Sequence, residues 1–230
     1  MARRTKFQGS APLMEKKSFI KIGEGAIASY DWKDFLQGFG SVAFYGFRTN
    51  TGFNLTNTTI FGDIVFIEGH EMVPGENTDW VELWKETFEV DVSLPLIMQG
   101  TMSANVPFME LAETTDVTKQ TRVKITLYKN DTKIVEGYSR TLSNSSSPTE
   151  EQQRIRVVLM EVPTTTLGVG DKLKVEVEAM GRKSSGLDTN IRGAVALCPM
   201  NRDVTDEGFQ NKVTFVNSQM VFNIPFKIDI

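Results

Sequence analysis

The residues that could do chemistry in this chain are few and scattered. There is one histidine, His70, and one cysteine, Cys198. A cysteine nucleophile needs its base within hydrogen-bond reach, and residues this far apart along the chain supply no such arrangement by themselves; there is no second histidine to make a metal pair. A lone cysteine also excludes an intrachain disulfide and cannot alone build a structural zinc site, so Cys198 is expected to be a small buried apolar residue. Glu68 with Glu71, and Asp203 with Asp206, could in principle divide acid and base work or hold calcium. With 29 acidic residues in the sequence such spacings arise by chance, and solvated loop charge is the expected reading. GxSxG, Walker A, HExxH and EF-hand patterns do not occur. Gly23-Glu24-Gly25 and Gly168-Val169-Gly170 lack the strand-to-helix setting of a phosphate-cradling loop, so both are expected to be turns. Asn54, Asn57, Asn130 and Asn144 head glycosylation-type triplets and are expected to be turn residues. No catalytic residue, cofactor or metal is expected.

Composition points the same way. A 230-residue chain with 40% hydrophobic and 23% charged residues can bury a sizeable core without staples. Its net charge of −4 argues against a general polyanion-binding surface, so direct contact with nucleic acid is not expected. No apolar run approaches the ~20 residues of a membrane helix, and the basic start at Met1 to Lys6 leads into no signal-peptide core. The expectation is a protein made or assembled in the cytosol, with no membrane partner.

The elements that would position any functional group are strands. From Leu173 to Ala179, apolar and charged residues alternate: Leu173, Val175, Val177 and Ala179 against Lys172, Lys174, Glu176 and Glu178. Such a strand is half-buried and needs a second apolar layer to cover it, which implies a sandwich. Met220, Phe222, Ile224, Phe226, Ile228 and Ile230 repeat the pattern at the C-terminus, where Pro225 points to an edge or a bulge. Residues 121 to 140 read as a hairpin turning at Asn130-Asp131, and Ser41 to Thr56 as another turning at Arg48 to Gly52. Trp84, Phe88, Val90 and Val92 share one register; Leu94 to Met102 is divided by Pro95 and Gly100. Asp31 to Leu36 could form one helical turn. Pro163 to Thr166 is expected to lead into the Gly168–Asp171 turn, and Ser143 to Gln153 and Gly181 to Thr189 to be loops.

The chain divides into a basic N-terminal arm at residues 1–17, an aromatic- and glycine-rich β segment at 18–75, and a main sandwich at 76–230, with a soft boundary at Glu71 to Asp79. The rings of the 18–75 segment are expected to pack in a core. Arg3, Arg4, Lys6, Lys16 and Lys17 in the arm are the candidate partner-binding residues. Roughly ten or more strands without intervening helices imply antiparallel sheets and an all-β, jelly-roll-like sandwich.

Together, the polar arm, the aromatic β segment, Leu167-x-x-Gly170-Asp171-x-Leu173-x-Val175 and the ending Phe222-Asn223-Ile224-Pro225-Phe226-Lys227-Ile228-Asp229-Ile230 resemble structural proteins of tailed-phage virions. More narrowly, they are similar to jelly-roll proteins that decorate or cement capsids. The resemblance implies a non-enzymatic, homo-oligomeric virion component, assembled in the host cytoplasm, that binds the major capsid protein or other virion proteins. The turn-and-strand pattern also occurs in tumour-necrosis-factor-like heads and carbohydrate-binding sandwiches. A receptor- or glycan-binding head is therefore the alternative, with Trp32, Tyr45 or Trp80 as stacking faces; a glycan hydrolase needs two facing carboxylates and ranks last.

Overall fold

The computed structural model describes residues 28–29, 39–49, 52–57, 66–72, 79–112, 118–144, 152–185, 191–197, 204–206, 213–215 and 218–227. Fifteen strands run through them: β1 (Ala28–Ser29), β2 (Phe39–Thr49), β3 (Gly52–Thr56), β4 (Phe66–Met72), β5 (Val81–Asp91), β6 (Leu96–Ala112), β7 (Thr118–Lys129), β8 (Thr132–Tyr138), β9 (Leu142–Asn144), β10 (Gln152–Leu167), β11 (Lys172–Ser185), β12 (Ile191–Leu197), β13 (Val204–Asp206), β14 (Val213–Phe215) and β15 (Val221–Lys227). No helix occurs among the described residues. The helical turn expected at Asp31 to Leu36 and the basic arm at 1–17 lie outside them.

The main sheet runs β4-β12-β6-β15-β2-β3-β5-β11-β7-β8, with β1 on β2, β10 on β6 and β9 on β7. It folds over on itself, so that β5, β11, β7 and β8 form one layer and β10, β6, β15 and β2 face them. Phe88 on β5 meets Phe222 on β15 with ring centroids 5.9 Å apart. Gly137 on β8 lies against Met160 and Val158 of β10. The architecture is all-β and sandwich-like. Pairing is antiparallel except between β3 and β5, which meet in parallel at Asn54 and Glu89, where the sheet passes from one layer to the other.

Alternation placed the core where the sequence indicated. Leu173, Val175, Val177 and Ala179 are buried, as are Val123, Ile125 and Leu127 and the terminal Phe222, Ile224 and Phe226. The 121–140 hairpin is β7 and β8, turning at Asn130 with φ of 53°. Three expectations are corrected. Gly181 does not open a loop: β11 continues to Ser185. Its register against β5 shifts between Ala179 and Met180, which makes Leu83 an extra, inward residue, and a Cβ on Gly181 would sit 3.1 Å from Leu83 Cδ1. The glycine makes room for a bulge. Pro163 to Thr166 likewise belongs to β10, whose register against β6 shifts between Val162 and Thr165 to absorb the proline. Gly100 divides nothing, because β6 runs unbroken from Leu96 to Ala112.

Strand β15 is interior, whereas Pro225 in the sequence points to an edge or a bulge. It pairs with β2 along Val221–Lys227, but with β6 only through Val221, Phe222 and Asn223. Pro225 lies beyond that second ladder, against Gly100, whose φ of 116° turns β6 aside. Strands on both sides of the expected 71–79 boundary share this sheet: β2 pairs with β15, and β4 with β12.

Gly46 leaves little room for a side chain between the layers. A Cβ there would lie 3.0 Å from Phe88 Cε1 and 3.3 Å from Phe222 Cε2. Gly46→Ala is expected to lower unfolding free energy by about 1–3 kcal/mol through overpacking, and adding Phe88→Leu is expected to restore part of it. Urea denaturation of the single and double variants measures both; an unchanged midpoint in Gly46→Ala would show that the rings yield freely.

Candidate interaction surfaces

Among the described residues the structure does not gather the chemically capable side chains into a site. His70 lies in β4 opposite Gly193, while Leu197, the residue before Cys198, pairs with Phe66. Four residues along a strand is about 13 Å, so His70 and Leu197 sit toward opposite ends of that ladder. Glu68 and Glu71 belong to β4, and Asp206 to β13. Cys198, Asp203, Trp32 and the partner-binding candidates Arg3, Arg4, Lys6, Lys16 and Lys17 lie outside the described residues. Among the described residues no group of three or more His, Cys, Asp or Glu side chains could hold a metal ion.

Gly168 to Asp171 is a corner between β10 and β11, as expected, and it is stitched to two other strand ends. Asp171 Oδ2 accepts the Gly168 N–H at 2.7 Å, and Asp171 Oδ1 accepts Asn130 Nδ2 at 3.0 Å. The Lys129 ammonium is 3.0 Å from Asp171 Oδ2 and also donates to the Thr166 carbonyl. Gly170 N–H donates to Val92 O, and Val92 N–H to Asp171 O. The Gly168, Gly170 and Asp171 amides are thus spent on the protein's own acceptors. Hydrogen bonds from Asn130 and Gly168, then Lys129, hold the Asp171 carboxyl down to about 2 from an ordinary 3.8.

The two outer faces of the sandwich differ in chemistry. On the β5-β11-β7-β8 layer several outward lysines are paired with carboxylates. Lys85 reaches Glu176 at 3.2 Å, Lys124 reaches Glu178 at 3.3 Å, Lys174 reaches Asp131 at 2.8 Å, and Lys172 pairs with Glu89. Desolvation lowers the Lys124 ammonium, but Glu178 outweighs it and the net shift is upward. Such solvent-screened pairs contribute little to stability, so their main effect is to keep this face wet and matched in sign.

On the opposite outer face exposed Glu161, which accepts from Thr101 Oγ1, and exposed Lys227 carry charge, while two adjacent rows are uncharged. Strand register brings Thr56, Tyr45, Val221, Asn105 and Val157 into one row across β3, β2, β15, β6 and β10. The next row is Ala43, Asn223, Ser103 and Leu159. All nine are uncharged. Asn223 Nδ2 donates to Ser103 Oγ at 3.0 Å, so the polar groups are partly satisfied within the face. At its margin β10 turns Ile155, Val157 and Leu159 outward with 46%, 50% and 65% of their surface exposed, while Arg156, Val158 and Met160 between them are buried. Strand β10 thus carries apolar side chains on both faces, the pattern of a strand covered on both sides.

Two of the rings named as stacking faces are described. Tyr45 lies half-buried in the neutral face. Trp80 is half-buried, with the guanidinium groups of Arg122 and Arg182 over its ring.

No protein-family model matches the chain, and no curated protein matches its sequence. Solved structures give partial likenesses. A CocE/NonD family hydrolase from Staphylococcus aureus aligns over 81% of this chain at 8% identity and a TM-score of 0.46. An alpha-amino acid ester hydrolase aligns over 80% at 9% identity and 0.46. In both cases the chain spans 36% of the other protein's length. A structure of the Gt strain of infectious bursal disease virus aligns over 94% of this chain and 48% of its own, at 11% identity and a TM-score of 0.32. Identities this low transfer no activity, substrate or assembly to this chain.

The Asp171 corner sets a pH dependence. A carboxylate held lower in the folded than in the unfolded state stabilises the fold at pH above the unfolded value, and that contribution is lost as pH falls toward 2. Asp171→Asn is expected to lower the urea midpoint at pH 5 and to flatten its decline between pH 4 and about 2. Denaturation curves across that range check it; parallel declines in both proteins would contradict it.

Proposed function

We propose that this chain is a non-enzymatic structural protein of a virion, a jelly-roll-like decoration or cement protein whose neutral face seats on neighbouring shell subunits. The observation that carries the reading is the contrast between outer faces: one bears paired charge, the other two uncharged rows bordered by Ile155, Val157 and Leu159. Uncharged residues dock at little desolvation cost, and exposed aliphatic side chains in an ordered row gain from being covered. A protein held this way adds buried interface at subunit junctions, which favours the assembled shell by mass action. The basic arm, with Arg3, Arg4, Lys6, Lys16 and Lys17, would supply a second attachment to an acidic neighbour. Self-association through the same sandwich fits a homo-oligomeric component.

The test is to place charge in the neutral face. Val157→Asp and Leu159→Asp are exposed substitutions and are expected to leave the urea midpoint nearly unchanged. They are expected to abolish incorporation into shells and to shift any oligomer toward monomer in sedimentation velocity. Glu176→Gln on the opposite face is the control and is expected to leave incorporation intact. Normal incorporation and association of Leu159→Asp would refute the reading.

A further inference from the structure

Near one end of the charged layer, two cations depart from the pairing around them. Arg122 on β7 and Arg182 on β11 are diagonal neighbours, because Arg122 stands opposite Met180, and Arg182 opposite Gln120. Their guanidinium carbons lie 4.1 and 4.7 Å from the centroid of one ring, that of Trp80. They are therefore within about one Debye length of each other. Arg122 also lies 4.5 Å from the Tyr138 ring centroid. Arg182 Nε donates to Gln120 Oε1 at 2.6 Å. Among the described residues neither arginine pairs with a carboxylate, and Arg122 Nε is buried with no hydrogen-bond partner. The lysines along the same face, Lys85, Lys124, Lys172 and Lys174, all have acidic partners.

Two like charges held close together cost free energy that an anion would offset. Contact with the indole holds both guanidinium groups in place; with Arg182 Nε committed to Gln120 and Arg122 Nε buried, the Nη groups are the donors left to take a carboxylate. We infer that Arg122, Arg182 and Trp80 form a binding site for carboxylate side chains of an acidic segment on a partner protein. Charge complementarity selects that ligand over a nucleic acid. The site is short, and the lysines farther along the same face are already paired with carboxylates, so no row of free cations continues it to track a phosphate backbone. One or two carboxylates fit where a track of phosphates does not. The site is on the face opposite the uncharged rows and does not depend on their role.

The probe is a hexaglutamate peptide added to the full chain at low salt, followed by calorimetry and by tryptophan fluorescence. Saturable binding that falls about tenfold or more in Arg122→Gln, and likewise in Arg182→Gln, is expected. Arg122→Lys keeps the charge without the planar fork and is expected to lose most of the affinity as well. Trp80→Phe is expected to remove the fluorescence change. Urea midpoints close to wild type establish that each variant is folded, and either arginine alone suffices for the test. Undiminished binding in Arg122→Gln and Arg182→Gln, no saturable binding by the wild type, or tighter binding of inorganic phosphate or an oligothymidylate than of hexaglutamate would each overturn the inference.

Discussion

A strand has only two edges, and the fold depends on how β6 uses both of them. Along one edge this 17-residue strand pairs with β10 from Leu96 to Glu110. Along the other it serves two partners in succession, β15 through Ser103 to Asn105 and β12 through Phe108 to Ala112. Pro107 falls in the gap between those partners, where no ladder needs its missing N–H. Pro225 lies beyond the end of the β15 ladder for the same reason. Two prolines that would break a sheet elsewhere instead mark where β6 changes neighbour. Through β6 the terminal strand, the early strands β2 and β4, and the long β10 join one sheet, so segments distant in sequence share one core.

That arrangement also explains what was legible in the sequence. Strand β11, the β7–β8 hairpin and β15 have one face on the core and one face outward, so their alternation is regular and their buried residues could be named in advance. Strand β6 was recognised only in its first half. Gly100 and Pro107 are residues that punctuate loops, and their acceptance here is settled by partners elsewhere in the chain: Pro225 beside Gly100, and the break between β15 and β12 beside Pro107. Gly181 misled for a related reason. Its lack of a side chain answers Leu83, about a hundred residues away, and not a turn.

The candidate surfaces were less legible than the fold. Single residues with reactive side chains stand out in a sequence; a face does not. The uncharged rows take one residue from each of several strands, so Tyr45, Val221, Asn105 and Val157 become neighbours only when register is known. The one local clue was β10 itself, where Arg154 to Val162 carries apolar residues at consecutive positions instead of alternate ones. Trp80 shows the same limit: an aromatic in isolation suggests stacking on a sugar, whereas the register of β7 and β11 sets two arginines over it.

The unlike outer faces also make the two sides of the molecule answer oppositely to ionic strength. Salt weakens the lysine–carboxylate pairs on the β5-β11-β7-β8 side within a distance of about 8–10 Å. The uncharged rows on the other side have little Coulombic attraction to lose, and strongly hydrated salts such as sulfate strengthen burial of groups like Ile155, Val157 and Leu159. An attachment made through that side would hold through swings in salt, while the paired-charge side continued to meet water.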